Sequence, residues 1–113
     1  MLSDGQMHEA VTAIHSTGAS PVVRVPANEA WMVKRALDSG AHGIVVPLLY
    51  TADDARRLVA SAKFPPLGNR GYGSPFPMAK FGADISSADY LQQANDALVT
   101  VVQIETKEAL QNV

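Results

Sequence analysis

Three short apolar runs alternate with longer segments whose apolar residues recur at helical spacing, and this alternation strongly constrains the fold. The runs lie at residues 20–26, 43–49 and 99–106 and are rich in valine and isoleucine, as buried strands are. No Asn-Gly or similar hairpin signal joins two of them. Strands separated by helices pair in parallel through right-handed crossovers. The sequence therefore predicts an α/β fold with three parallel strands, in the order α-β-α-β-α-loop-α-β-α.

Capping residues indicate where the helices begin. Ser3 and Gln6 have the spacing of a capping box, and Gly18 follows the first periodic segment. Residues 65–86 are rich in glycine and proline, so we predict a long loop there. The other helices are expected to start at the capping residues Asn28, Thr51, Ser87 and Thr106.

The composition argues against several functional classes. The chain has 113 residues and a net charge of −2, and its basic residues are scattered, so we expect neither a nucleic-acid-binding patch nor a membrane-surface helix. No apolar run approaches the roughly 20 residues of a membrane span, and the first residues lack the pattern of a signal peptide. The absence of cysteine excludes disulfides and thiolate metal sites. These features together predict a cytoplasmic protein.

Two polar side chains lie near the carboxyl end of the last predicted strand. Val101, Gln103 and Glu105 share one face of that strand because side chains alternate. The carboxyl ends of parallel strands are where such folds place their chemistry. Glu105 is therefore the leading candidate for a site residue. The alternative is a carboxylate that emerges into solvent at a strand end.

Three strands are few for an α/β domain. Both outer strands would expose unpaired apolar edges, which soluble proteins normally avoid. We therefore expect residues 1–113 to be an incomplete segment of a longer fold, with further strands on both sides.

Four motifs resemble a known family. They are Val-Arg-Val-Pro, Gly-Ile-Val-Val-Pro, Pro-Pro-Leu-Gly-Asn-Arg-Gly and Val-Gln-Ile-Glu-Thr, at residues 23–26, 43–47, 65–71 and 102–106. In this order and spacing they resemble the HpcH/HpaI aldolase and citrate lyase family of metal-dependent 2-oxo acid aldolases. The resemblance runs from about residue 3 to the end and covers less than half of a barrel of about 250 residues. It implies part of a (β/α)8 TIM barrel.

The resemblance implies roles for three residues. Glu105 matches the first metal carboxylate, which would hold Mg²⁺ or Mn²⁺ through oxygen ligands. Arg24 matches an arginine that contacts the keto or enolate oxygen, and Gln103 matches a glutamine beside the metal and pyruvate. We expect Arg24 and Glu105 to project from neighbouring strands into a shared pocket. The structural alternatives are an ion-paired or surface arginine and a buried amide that bridges strands.

Two further residues match less distinctive positions. Asp38 matches an acidic residue that helps to orient a catalytic histidine, although it could merely end a helix before Gly40. Arg70 lies in the Gly-Asn-Arg-Gly loop and is expected either to contact the acceptor aldehyde or to brace the barrel mouth. We expect the three histidines, His8, His15 and His42, to be ordinary surface residues.

The implied function is a carbon–carbon lyase, with two alternatives. The family reaction is retro-aldol cleavage of a 4-hydroxy-2-oxo acid, of the 2,4-dihydroxyhept-2-ene-1,7-dioate type, to pyruvate and an aldehyde. The family's Asp-x-Glu-His and Gly-Pro-x-Asp motifs, which supply its catalytic histidine and second metal ligand, are absent here, so we expect the isolated chain to be inactive. The alternatives are a non-catalytic assembly partner of homo-oligomeric relatives and an oxaloacetate decarboxylase that uses the same enolate.

Overall fold

The computed structural model describes residues 3–82 and 84–113, and within them helices alternate with three strands. The predicted α/β class is confirmed. The elements are α1 (Asp4–Ser16), β1 (Val22–Arg24), α2 (Ala30–Asp38), β2 (Gly43–Val46), α3 (Ala52–Ala62), α4 (Phe76–Phe81), α5 (Ser87–Ala97), β3 (Val99–Val102) and α6 (Lys107–Gln111).

The three strands form one parallel sheet in the order β1-β2-β3. Arg24 pairs with Val45, and Val45 pairs with Val101. The pairing continues to the carboxyl ends of the strands, where the Gln103 backbone amide donates to the Val46 carbonyl oxygen at 3.0 Å. The carboxyl ends of all three strands therefore lie at the same end of the sheet, as the sequence predicts.

One face of the sheet carries the hydrophobic core. Ile44 and Val46 are fully buried and pack with apolar side chains of the helices and of the segments that join them to the strands. The opposite face is open in this chain, since Val22 and Val99 are 52% and 55% exposed. Gly43 lies between them, and a Cβ there would come within 3.1 Å of the Val99 carbonyl oxygen. The absence of a side chain at Gly43 therefore lets the three strands approach closely.

Most predicted helix caps are confirmed. The side chains of Ser3, Thr51 and Thr106 accept backbone hydrogen bonds at the starts of α1, α3 and α6. Two caps were placed one residue too late or too early. Ser86 rather than Ser87 caps α5, and α2 starts after Glu29 without a side-chain cap.

Asn28 has a different contact from the predicted one. Its side-chain amide donates to the carbonyl oxygen of Asp54 in α3 at 2.9 Å. The residue therefore ties the segment before α2 to α3 instead of capping α2. No helix in the described part of the chain combines the length and apolar character needed to cross a bilayer.

The predicted loop at residues 65–86 contains a helix, α4, which the sequence analysis missed. Pro75 and Pro77 suit the first turn of a helix because their fixed backbone angle is already helical and the first N–H groups need no partner. Met78 and Phe81 then pack against the core. The helix has only 6 residues, too few to give a recognisable apolar period.

Candidate active site

The carboxyl ends of β1 and β3 are joined by a side-chain hydrogen bond. Arg24 lies on the open face of the sheet in register with Val101, and Gln103 follows two residues later on the same side. The Arg24 Nε donates to the Gln103 Oε1 at 3.0 Å. The structure thus brings together two of the residues selected from the sequence. This pair of side chains spans β2.

The expectation that Arg24 and Glu105 come from neighbouring strands is wrong. β2 lies between β1 and β3 in the sheet. The two residues do lie at the same, carboxyl end of the sheet, because Arg24 ends β1 and Glu105 follows the end of β3. The two side chains come from β1 and from the segment after β3. β2 lies between these strands and contributes only backbone groups here.

Glu105 is held from the end of β2. Its Oε2 accepts a hydrogen bond from the Leu48 backbone amide at 2.9 Å. Leu48 has a φ of 54°, in the left-handed region that a leucine rarely adopts. Sequence reasoning missed this contact, since no residue type at position 48 signals a positive φ. We call Arg24, Gln103 and Glu105 the strand-end cluster.

The strand-end cluster contains one carboxylate, that of Glu105. The described residues contain no group of three or more His, Cys, Asp or Glu side chains that could hold an ion. Glu105 is exposed, and one of its oxygens accepts the Leu48 hydrogen bond. Mg²⁺ typically binds one or two carboxylates and keeps several waters or substrate oxygens. Glu105 therefore fits one position in the coordination shell of a hard cation.

Asp38 and Arg70 lie together, apart from the strand-end cluster. Asp38 is the last residue of α2 and precedes the start of β2 by five positions, so it lies near the amino ends of the strands. The Arg70 Nη2 donates to the Asp38 Oδ1 at 3.1 Å. The Lys34 ammonium also pairs with this carboxylate. This placement favours the structural alternatives for both residues, and their predicted site roles stay predictions.

The Arg70 side chain is only 1% exposed. Its Nη1 donates to the Tyr90 hydroxyl at 3.0 Å, and its guanidinium carbon lies 4.4 Å from the centroid of the Phe64 ring. Burial raises the pKa of the Tyr90 hydroxyl, while the nearby Arg70 charge opposes part of that rise. We call Asp38, Arg70 and Tyr90 the buried tie, because they join α2, the 65–75 segment and α5.

The histidines lie away from the strand-end cluster, and each is half-buried rather than an ordinary surface residue. The His42 ring lies within hydrogen-bonding distance of the Ser20 hydroxyl and the Lys80 carbonyl oxygen. His15 packs edge-on against His42, and His8 against Phe76. These contacts connect the helices and loops around the amino ends of the strands.

Comparison with curated proteins finds aldolases. The chain is 43% identical over 100 residues to 2-dehydro-3,6-dideoxy-6-sulfogluconate aldolase of Pseudomonas putida, covering 88% of this chain and 38% of that protein. It is 45% identical over 100 residues to 4-hydroxy-2-oxo-heptane-1,7-dioate aldolase of Salmonella dublin, covering 88% and 37% respectively. The chain thus spans less than two fifths of the length of these relatives.

A solved structure and a family model agree with these matches. The crystal structure of the HpcH/HpaI aldolase from Desulfitobacterium hafniense DCB-2 superposes with a TM-score of 0.85 at 32% identity, covering 98% of this chain and 42% of that one. The likeness confirms the predicted fold class, part of a TIM-type barrel. The HpcH/HpaI aldolase/citrate lyase family model matches residues 5–113. The chain therefore belongs to the HpcH/HpaI aldolase/citrate lyase family.

Proposed function

We propose that this chain carries the enolate-stabilising part of a carbon–carbon lyase. The reaction is the retro-aldol cleavage of a 4-hydroxy-2-oxo acid to pyruvate and an aldehyde, or its reverse. The observation that carries the proposal is the Arg24–Gln103 hydrogen bond of 3.0 Å at the carboxyl end of the sheet, where Glu105 also lies. The names of the curated relatives support the same class of reaction.

Each residue of the strand-end cluster has a role in this proposal. When the C3–C4 bond breaks, its electron pair forms an enolate whose oxygen becomes negative. The Arg24 guanidinium, charged at any working pH, would donate to that oxygen. Gln103 accepts from Nε and so directs the remaining guanidinium nitrogens. Its own amide N–H groups are donors for the substrate carboxylate.

Glu105 would supply one ligand to a divalent cation, Mg²⁺ or Mn²⁺. When bound, such a cation acts as a Lewis acid on oxygens of the 2-oxo acid. A carboxylate oxygen is the hard ligand that both ions prefer. The cleavage also needs a base to take the C4 hydroxyl proton, and the strand-end cluster contains none. We therefore propose that the isolated chain is inactive.

Asp38 and Arg70 are proposed as structural residues of the barrel segment. The Arg70 guanidinium is enclosed by Phe64, Tyr90 and Asp38, which leaves little of it for a small-molecule ligand. Orientation of a histidine by Asp38 and aldehyde binding by Arg70 are the roles that the family resemblance implies, and this placement does not support them.

A second candidate function is assembly without catalysis. The open face of the sheet and both sheet edges expose valines, Val22 and Val99 among them, and exposed apolar strands favour association. Such a chain would dock with relatives of the same family. An oxaloacetate decarboxylase would use the same strand-end cluster, because decarboxylation also forms the pyruvate enolate.

A chimera tests the proposed function. Residues 5–113 replace the matched segment of the Salmonella 4-hydroxy-2-oxo-heptane-1,7-dioate aldolase, and purified chimera is assayed for cleavage with Mg²⁺ or Mn²⁺. We expect aldol cleavage that is lost in Glu105→Gln and kept in Glu108→Gln, which changes an exposed carboxylate of α6. A folded chimera without cleavage would contradict the proposal, and preferential turnover of oxaloacetate would favour the decarboxylase. Binding of the isolated chain to full-length relatives without turnover would favour assembly.

A further inference from the structure

We infer that the backbone amide of Leu48 is a positioning group for Glu105. This inference rests on the proposed function, because it explains how a carboxylate at the end of β3 is presented to a cation. The Leu48 amide donates to Oε2 of Glu105 at 2.9 Å, across a separation of 57 residues. The contact joins the end of β2 to the end of β3 beyond the last sheet pairing.

The backbone at Leu48 adopts an unfavourable conformation to make this contact. Its φ of 54° lies in the left-handed region, which residues other than Gly, Asn and Asp rarely occupy. The Leu48 side chain is 50% exposed, so its own packing does not explain the conformation. Strained residues of this kind concentrate at functional sites, where surrounding contacts hold them.

The neighbours of Leu48 fix where the chain turns. Val46 and Leu49 are buried in the core on either side of it. Pro47 keeps Val46 extended and has no N–H to offer. The Leu48 amide is therefore the first donor after β2, and the turn at this residue brings it to the Glu105 carboxylate.

The hydrogen bond has a consequence for ligand binding. A hydrogen bond from a backbone N–H to one carboxylate oxygen restricts the orientations of that carboxylate. Oε1 has no hydrogen-bond or ion-pair partner among residues 3–82 and 84–113. Glu105 is thus prepared to offer this oxygen to a cation as a single ligand. Groups that orient a metal ligand in this way strengthen metal binding.

Nuclear magnetic resonance tests the contact without any metal. The 113-residue chain is labelled with ¹⁵N-leucine, and the Leu48 amide proton is followed through a pH titration. We expect a downfield shift as the Glu105 carboxylate ionises, absent in Glu105→Gln and unchanged in Glu108→Gln. A Leu48 amide proton whose chemical shift does not change with pH, or still changes in Glu105→Gln, would overturn the inference.

Binding of Mn²⁺ alone to the purified chimera described above, measured by electron paramagnetic resonance, tests the consequence. Asn tolerates a positive φ whereas a β-branched residue does not, so Leu48→Asn should bind like the unsubstituted chimera. We expect Leu48→Ile to bind about 10-fold more weakly and Glu105→Gln to bind more weakly still. Equal weakening by Asn and Ile would contradict a conformational role for Leu48. If the Leu48 amide shift follows pH in the isolated chain but the unsubstituted chimera binds no Mn²⁺, the proposed metal site fails while the carboxylate contact stands.

Discussion

Arg24 and Gln103 lie 79 residues apart in the chain, and their side chains form a 3.0 Å hydrogen bond at the carboxyl end of the sheet. Two flexible polar side chains are thereby tied together on the open face, at the end of the sheet where Glu105 also lies. Arg24 also lines a cavity of about 480 Å³ between α1, β1 and α2. This geometry makes Arg24 the residue whose replacement most clearly separates function from folding.

Arg24→Ala in the chimera should reduce kcat/KM by about 100-fold or more, as removal of one oxyanion donor typically does. The free energy of unfolding should change by no more than about 0.5 kcal/mol, because Arg24 is an exposed residue. Steady-state kinetics and urea unfolding measure the two effects. Arg56→Ala, which removes an exposed arginine of α3, is the matched control. Equal losses of activity and stability would make Arg24 a structural residue.

Arg70→Leu should lower the free energy of unfolding by about 3 kcal/mol, because it leaves the Asp38 carboxylate and the Tyr90 hydroxyl without their buried partner. Tyr90→Phe should cost about 1–3 kcal/mol, since it removes one acceptor from a buried donor. Urea unfolding followed by circular dichroism measures both. Arg56→Leu, at an exposed arginine of α3, controls for loss of charge. If Arg70→Leu were no more harmful than Arg56→Leu, the buried tie would not be a stabilising element.

Asp54 should make stability depend on pH in the acid range. Hydrogen bonds from Arg57 and then from the Tyr50 and Thr51 amides lower the pKa of the Asp54 carboxyl from 3.8 to about 2. A carboxyl whose pKa is lower in the folded state stabilises the fold above pH 3.8, and this contribution is lost as the pH falls towards 2. The loss should be smaller in Asp54→Asn than in Asp53→Asn, which removes a carboxylate from the same turn without removing the cap. Parallel pH profiles for the two variants, from urea unfolding, would contradict the assignment.

The isolated chain should associate through its open sheet. β1 and β3 each pair on one side only, and Val22 and Val99 are more than half exposed. Val99→Lys should reduce association because a charge opposes strand addition at an edge, whereas Val59→Lys on α3 should not. Size-exclusion chromatography with light scattering measures the state. A sharp monomer peak with cooperative melting for the wild type would contradict this expectation.

The sequence predicted what depends on local pattern. Strand and helix alternation gave the α/β class, and the capping residues Ser3, Thr51 and Thr106 marked three helix starts correctly. Alternation along the last strand also predicts that Gln103 shares a face with Val101, and the register of the sheet places Arg24 on that same face.

The remaining features depend on contacts distant in sequence. The separation of β1 from β3 by β2 follows from how the strands are ordered in the sheet, which no single motif encodes. Arg70 is enclosed by Phe64, Tyr90 and Asp38 from different elements. The left-handed turn at Leu48 is imposed on a residue type that gives no sign of it.

Exchange of the pyruvate methyl protons for deuterium tests the central claim most directly, because this exchange requires the enolate but no aldehyde. The chimera with Mg²⁺ is incubated with pyruvate in D₂O and followed by proton NMR. We expect exchange that is reduced by about 100-fold or more in Arg24→Ala, lost in Glu105→Gln and unchanged in Glu108→Gln. Exchange that proceeds equally well in Arg24→Ala and Glu105→Gln would contradict the assignment of enolate stabilisation to the strand-end cluster.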